Sequence, residues 1–409
     1  MRVIDFTIMI LAAALPWSTS VTTILIIAVL LMVLITYGPL ELTKDWTRPA
    51  YALPIALFGI AAIGVTWAHE VQWSDRLHAF EKVTKLLWVL PLALHFRESD
   101  RALMVFGAYV ASNLALLAFS FVLFVSPYVF HLIGAREPGV PVKNYIDQSQ
   151  GFVLIAVVLL GLAAESLRGG RRNRAVLLCA VSATFLANLA FVNVARTAFI
   201  YLPIMLTLLA LRYVRGWPLL ALFAGTCALT AGLLATSPNL QSKTSRLFNE
   251  IDSYRANAVF TVDGYPAGGA ERLEFWRKSI GFVRSAPVLG HGTGSTKSLF
   301  ATAAAGHGGL TGVIVDNPHN QTLAVAIQWG MVGCVILFGM WGAHLWLFRE
   351  GVMGPTGNFL AWIGFVAVVQ NIASSVFNSH LFDFYQGWLY VFVVGIVGGQ
   401  LRRENPGAR

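Results

Sequence analysis

Hydrophobic runs of bilayer length follow one another along almost the whole chain, and one long polar stretch interrupts the series. A helix needs roughly 20 apolar residues to cross a hydrocarbon core. Twelve segments come close to that: 3–17, 19–37, 50–68, 80–96, 103–126, 151–167, 175–194, 197–214, 217–236, 319–347, 358–378 and 384–401. The pattern predicts an all-α integral membrane protein of about twelve transmembrane helices. It divides into residues 1–236 with nine spans, a polar segment 237–318, and residues 319–409 with three more. Within the polar segment, 240–268 is rich in turn formers. Glu271 to Ser285 reads as an amphipathic helix, because Leu273, Trp276, Ile280 and Val283 recur at helical spacing among Arg272, Arg277 and Lys278. Such a helix would lie on the membrane surface or pack over the spans. Pro287 ends it, and Gly290-His291-Gly292-Thr293-Gly294 reads as a flexible turn.

Composition agrees with the pattern. Hydrophobic residues make up 56% of the 409 and charged residues only 12%, about half the share in a soluble protein. The net charge of +9 is mostly topological. Lys and Arg concentrate in alternate short turns: Arg2, Lys44 and Arg48, Arg97 and Arg101, Arg168 to Arg174, Arg212 and Arg215, Arg349, then Arg402 and Arg403. The intervening short turns, such as Ser18-Thr19-Ser20 and Ser379 to Asp383, are nearly bare of them. The positive-inside rule then makes both termini cytoplasmic and puts 237–318 outside. The first apolar run reads as a retained helix and not a cleaved signal, because the second follows at once. No clustered basic face suggests nucleic acid as a partner. Cys179, Cys227 and Cys334 all fall inside spans, so the outer segment uses no disulfide.

Candidate chemistry gathers on the outer side. Asp316-Asn317-Pro318-His319-Asn320 stands where the apolar pattern resumes. Pro318 suits a first helical position and Asn317 or Asp316 a cap, so His319 is expected in the first turn of a transmembrane helix. The positive end of the helix dipole there favours a neutral imidazole able to accept a proton. Arg196 lies between two apolar runs on the side where the rule predicts few cations, and an ionisable group at a membrane rim suggests function. Arg272 opens the amphipathic helix. Taken alone, it reads as part of a solvated helix face. Lys82 and Lys85, three apart, share one face and could contact phosphate or anionic headgroups. The glycine turn fails as a nucleotide phosphate loop, since Thr296 stands where glycine must precede the lysine. His78, His95, His131, His291, His307 and His344 have no metal-ligand spacing, and no paired acidic motif is present outside, so no metal and no cofactor is expected.

In this order and on these sides, the residues resemble the O-antigen ligase and O-antigen polymerase family of bacterial inner-membrane glycosyltransferases. An outer-side arginine after the seventh span matches Arg196. An arginine–aromatic–proline–glycine pattern matches Arg272, Phe275, Trp276, Pro287, Gly290 and Gly292. A His-Asn-x-x-Leu at membrane re-entry matches His319 to Leu323. Ala195 stands where the family usually has serine. The resemblance implies a GT-C-like membrane fold. It implies a donor glycan on undecaprenyl diphosphate, lipid A–core oligosaccharide as acceptor, and a periplasmic site in the inner membrane. In that reading Arg196 and Arg272 clamp the diphosphate, His319 is the base, and the transfer is metal-independent and inverting. Polymerases and protein O-oligosaccharyltransferases share these motifs, so the acceptor stays open. A transporter would also suit many spans, but no sequence repeat supports one.

Overall fold

A computed structural model describes residues 1–42, 44–132, 137–192, 195, 197–214, 268–353 and 357–404, with scattered positions between 220 and 249. Arg196, most of the expected ninth span and nearly all of 240–268 lie outside the described residues. The named elements are all helical. They run α1 Arg2–Ala14, α2 Thr19–Tyr37, α3 Pro39–Leu42, α4 Pro49–Gly64, α5 Trp73–Thr84 and α6 Val89–Phe96. Next come α7 Ala102–Val125, α8 Pro127–Leu132, α9 Tyr145–Arg168, α10 Arg172–Ala187 and α11 Ala198–Tyr213. The series ends with α12 Gly268–Ser285, α13 Ser295–Ala304, α14 Gln321–Leu347, α15 Phe359–Ser374 and α16 Phe384–Glu404.

Among the described residues, six helices are long and apolar enough to cross a bilayer: α2, α7, α9, α10 with the π-turn that extends it to Val192, α14 and α16. Three shorter apolar helices, α4, α11 and α15, have 16 residues each. The chain is therefore a multi-pass membrane protein. Its hydrophobicity is all-round, so burial distinguishes centre from rim. Every residue from Gln148 to Leu159 of α9 is buried, as is nearly all of α16. On α2, by contrast, Ile24, Leu31 and Ile35 face outward as a lipid-contacting helix does.

The region 80–96 departs from the expected single span. α5 is largely polar, a 3-10 turn covers Lys85–Trp88, and α6 has only eight residues. The break follows from Lys85. Its ammonium is buried and donates to the carbonyls of Phe382 at 2.9 Å and Asp383 at 2.6 Å. A charge cannot sit there without such partners.

Polar contacts fall at two ends of the bundle. At one end Asp45 binds Arg48, Arg97 and Arg402, and Glu165 binds Arg212 at 3.2 Å. Arg212 also donates to the carbonyls of Gly351 and Gly357. Near that end Asp5 is buried, accepting from His95 Nε2 at 2.8 Å and Ser99 Oγ at 2.7 Å. All these residues belong to helix ends and turns read above as cytoplasmic. The turns read as outer meet at the other end, where Lys82, Asp316, Asn317, Asn378 and Asp383 gather.

α14 is broken toward its N-terminal end. Gly330 has φ +58° and ψ −152°, which leaves backbone groups on either side without helical partners. The loop after α12 supplies them. His291 N–H donates to Ile327 O at 2.8 Å and Gly292 N–H to Gln328 O at 2.9 Å. Met331 N–H donates to Pro287 O at 2.8 Å and Val332 N–H to Val288 O at 3.2 Å. Non-helical backbone at membrane depth is tolerated only with such partners. The glycine segment 290–294 is thus a tightly packed turn, not the flexible one expected. A Cβ on Gly290 would lie 2.5 Å from the Gln328 carbonyl carbon.

Candidate active site

The imidazole of His319 is held by three segments distant in sequence. Its own backbone comes first. His319 has φ +54°, and its N–H donates to Asn317 Oδ1 at 2.8 Å, a local turn that an asparagine before Pro318 favours. Asn320 is the N-cap, its side chain accepting from Leu323 N–H at 3.0 Å. His319 therefore precedes the helix, correcting the expectation of a first-turn position capped by Asn317 or Asp316. Either asparagine can cap a helix, and Asn320 stands at the favourable distance from Leu323 once 317–319 turns.

The turn between α15 and α16 comes second. His319 Nδ1 lies 2.8 Å from Asn378 Oδ1. The other face of that amide, Nδ2, donates to Asp383 Oδ2 at 2.7 Å. A carboxylate only accepts, so the Asn378 NH₂ faces Asp383 and its oxygen faces the ring. Nδ1 must then carry the proton, which leaves the Nε2 lone pair free. Asn317 Nδ2 also donates to Asn378 Oδ1, at 2.9 Å, and Ser379 Oγ to Asn317 Oδ1, at 2.8 Å. Asn378 and Asp383 escape a sequence reading, because they sit in a short polar turn between two apolar runs. The available signal was that this turn shares the outer side with His319.

The amphipathic helix comes third. α12 packs against α14, and Phe275 stacks on the His319 ring with centroids 6.1 Å apart and planes at 25°. Its buried face differs from the expected stripe. Glu274, Phe275, Lys278 and Ser279 are buried, while Ile280 is exposed. The charged members are partnered: Glu274 accepts from Nε and Nη2 of Arg277, and Lys278 donates to the Thr311 carbonyl. Phe275 and Phe282, seven residues apart, both meet Phe300 of α13, which sets the rotation.

Arg272 lies one turn before Phe275 on α12, so its charge acts on the imidazole. The His319 pKa is pushed below its ordinary value, chiefly by burial, with the Arg272 charge adding to the effect. The Asn378 hydrogen bond and the charges of Asp383 and Asp316 oppose this without reversing it. The ring is therefore neutral at pH 7, for reasons other than the helix dipole invoked above. The pieces together offer a fixed lone pair within electrostatic reach of the Arg272 guanidinium.

Lys82 and Lys85 separate in space. Lys82 pairs with Asp316 at 2.9 Å and lines a cavity of about 450 Å³. Burial raises the Asp316 pKa, but the Lys82 hydrogen bond and charge outweigh it and hold the carboxyl below its usual range. Lys85 turns away to its two carbonyls and is not in the cavity wall. The cavity shares Asn317, Ser379 and Asp383 with the His319 surroundings, although His319 and Arg272 do not line it. Asp75, paired with Lys297 at 3.0 Å, closes its far side. Among the described residues no group of three His, Cys, Asp or Glu side chains is arranged to hold a metal ion.

No curated protein matches the chain. Residues 181–338 match the family model for O-antigen ligase, a stretch that contains Arg196, Arg272 and His319 and stops before Asn378. Over that stretch, less than half of the chain, this multi-pass helical bundle is similar to the O-antigen ligase family.

Proposed function

We propose that the protein transfers a glycan from undecaprenyl diphosphate to a sugar hydroxyl of lipid A–core oligosaccharide. The reaction is assigned to the periplasmic face of the bacterial inner membrane, with about twelve spans, both termini cytoplasmic and 237–318 outside. The observation that carries the reading is a neutral imidazole, its Nδ1 proton directed to Asn378, standing beside Arg272 within the O-antigen ligase match.

The acceptor oxygen attacks the anomeric carbon as its proton passes to His319 Nε2. The bond from that carbon to the diphosphate oxygen breaks, and undecaprenyl diphosphate leaves with the electron pair. A hydroxyl is far less acidic than imidazolium, so proton transfer accompanies attack. General-base help of this kind is worth ~10²–10⁴-fold. Arg272, with Arg196, clamps the departing diphosphate through paired N–H donors, a geometry lysine does not reproduce. These fixed charges stabilise the leaving group, so the transfer needs no metal ion. Direct displacement inverts the anomeric centre. Lys82, on the cavity wall, is assigned a contact with phosphate or sugar. Lys85 is assigned to holding the Ser379–Asp383 turn.

The test is transfer by purified protein given lipid-linked glycan and one acceptor at a time. Joined product with lipid A–core and none with the others supports the ligase. Product only with a second polyprenyl-linked glycan would make the protein a polymerase, and product only with a polypeptide a protein O-oligosaccharyltransferase. No product from wild-type protein with any acceptor would reject the reading.

A further inference from the structure

A second cavity lies at the opposite end of the bundle from His319. It measures about 370 Å³ and opens between the start of α4 and the ends of α14 and α16. Trp346 and Leu347, on its wall, close α14, whereas His319 precedes its first residue. Those 27 residues would span roughly 40 Å at 1.5 Å per residue if straight, and the break at Gly330 makes this an upper limit on the separation along α14. The cavity is therefore no part of the transfer site.

Its chemistry is divided. Ala343, Leu347 and Leu401 give it an apolar wall between helices. Arg48, Arg349 and Arg402 stand at its polar edge against a single carboxylate, Glu350. Asp45 lies behind, bound by both Arg48 and Arg402. Three guanidinium groups against those two carboxylates still leave one positive charge in excess. Trp346 is 63% exposed beside them, with the Arg349 guanidinium 4.3 Å above its ring. Tryptophan in that position marks a membrane–water boundary.

Two polar atoms here are under-satisfied, the Tyr51 hydroxyl and the Arg402 Nε, and the hydroxyl lies close enough to the Arg402 guanidinium to feel its charge. Tyr51 is 2% exposed and lines the cavity, and its hydroxyl makes no hydrogen bond among the described residues. The Nε of Arg402, on the same wall, is also buried and makes no well-formed hydrogen bond among the described residues. A buried donor left unsatisfied costs ~1–3 kcal/mol, so such atoms point to an absent acceptor. Arg349 spends one donor on the Trp346 carbonyl at 2.9 Å, and its other donors make no hydrogen bond among the described residues.

We propose that this cavity is a binding site for an anionic phospholipid. The phosphate accepts hydrogen bonds from Tyr51 Oη, Arg402 Nε and Arg349, and one acyl chain lies along Ala343, Leu347 and Leu401. Charge complementarity selects a net-negative headgroup over a zwitterionic one. Basic pockets between transmembrane helices bind anionic lipids by this logic. The assignment does not depend on the transfer reaction.

Native mass spectrometry of the full-length protein tests it, after incubation with phosphatidylglycerol, phosphatidylcholine or inorganic phosphate. Wild-type protein is expected to retain one phosphatidylglycerol. The Tyr51→Phe/Arg349→Gln double variant should retain about tenfold less, corresponding to ~1.4 kcal/mol. Phosphatidylcholine should be held no better by the wild type than by that variant. If the double variant does not fold, Tyr51→Phe alone, which removes one oxygen, is the readout and should lose several-fold. Equal retention of the two lipids overturns the proposal, as does unchanged retention by the variants. Thermal stabilisation by inorganic phosphate matching that by phosphatidylglycerol would reduce the site to one for a free anion.

Discussion

Replacing Asn378 by alanine tests the arrangement around His319 most directly. The Asn378 amide makes three contacts: with His319 Nδ1 at 2.8 Å, Asn317 Nδ2 at 2.9 Å and Asp383 Oδ2 at 2.7 Å. Two are between neutral groups and one is to a carboxylate. Net values of ~1 kcal/mol for the first kind and ~1.5–3 kcal/mol for the second set an upper limit near 4–5 kcal/mol. Asn378 is only half-buried, so water replaces part of this, and a loss of ~2 kcal/mol in stability is expected. The effect on catalysis is separate. Without Oδ1 the Nδ1 proton loses its acceptor, and the ring is free to change tautomer or to turn. Losing a hydrogen bond that orients the base should lower kcat by ~10–10²-fold, or ~1.4–2.7 kcal/mol. That is less than the ~10²–10⁴-fold expected for His319→Ala. The assay is the initial rate of glycan transfer at saturating donor and acceptor for both single variants and the double variant. If Asn378 acts only through His319, the double variant is no slower than His319→Ala. A double variant showing the product of the two losses, or wild-type kcat in Asn378→Ala, would refute the relay.

Other predictions concern the same region. Because His319 titrates below its ordinary value, the base form persists at neutral pH, and kcat/KM should fall only as pH drops well below ~6.5. The unfolded chain takes up this proton more readily than the folded one, so stability should also decline below pH ~6.5, and His319→Gln should flatten that slope. A half-maximal rate at pH above 7 would contradict both. Arg272→Lys, and Arg196→Lys likewise, should cost at least ~10-fold in kcat/KM although charge is kept; wild-type rates would dismiss a paired-donor clamp. Gly330→Ala should sharply reduce the yield of monodisperse protein, since its φ is +58° and an added Cβ would meet the Val288 carbonyl oxygen at 2.3 Å. An unchanged melting temperature in that variant would disprove the need for glycine.

Much of the bundle is legible in the sequence, because α2, α7, α9, α14 and α16 are uninterrupted apolar runs. Reading fails where a polar side chain has a remote partner. Lys85 breaks the 80–96 segment through carbonyls almost 300 positions away. Glu274 and Lys278 are buried on α12, so hydropathy assigns that helix the wrong face. Asp5 enters an apolar core because His95 and Ser99 meet it there. At the site, His319 is singled out by residue type and position, whereas Arg272 taken alone reads as a solvated helix face and is singled out only by the family resemblance. Asn378 and Asp383 are not, since a polar turn carries no mark of what it faces.

The splice at Gly330 limits how the segment that follows α12 can move. Residues 287–292 supply partners to four main-chain groups of α14, and withdrawing them would strand those groups in an oily setting. Each stranded group carries a penalty of several kcal/mol. Swinging this part aside as a hatch is therefore far more expensive than ordinary loop opening. Under the proposed mechanism, substrates would reach the imidazole by a route that leaves the seam shut, and any gate would hinge elsewhere.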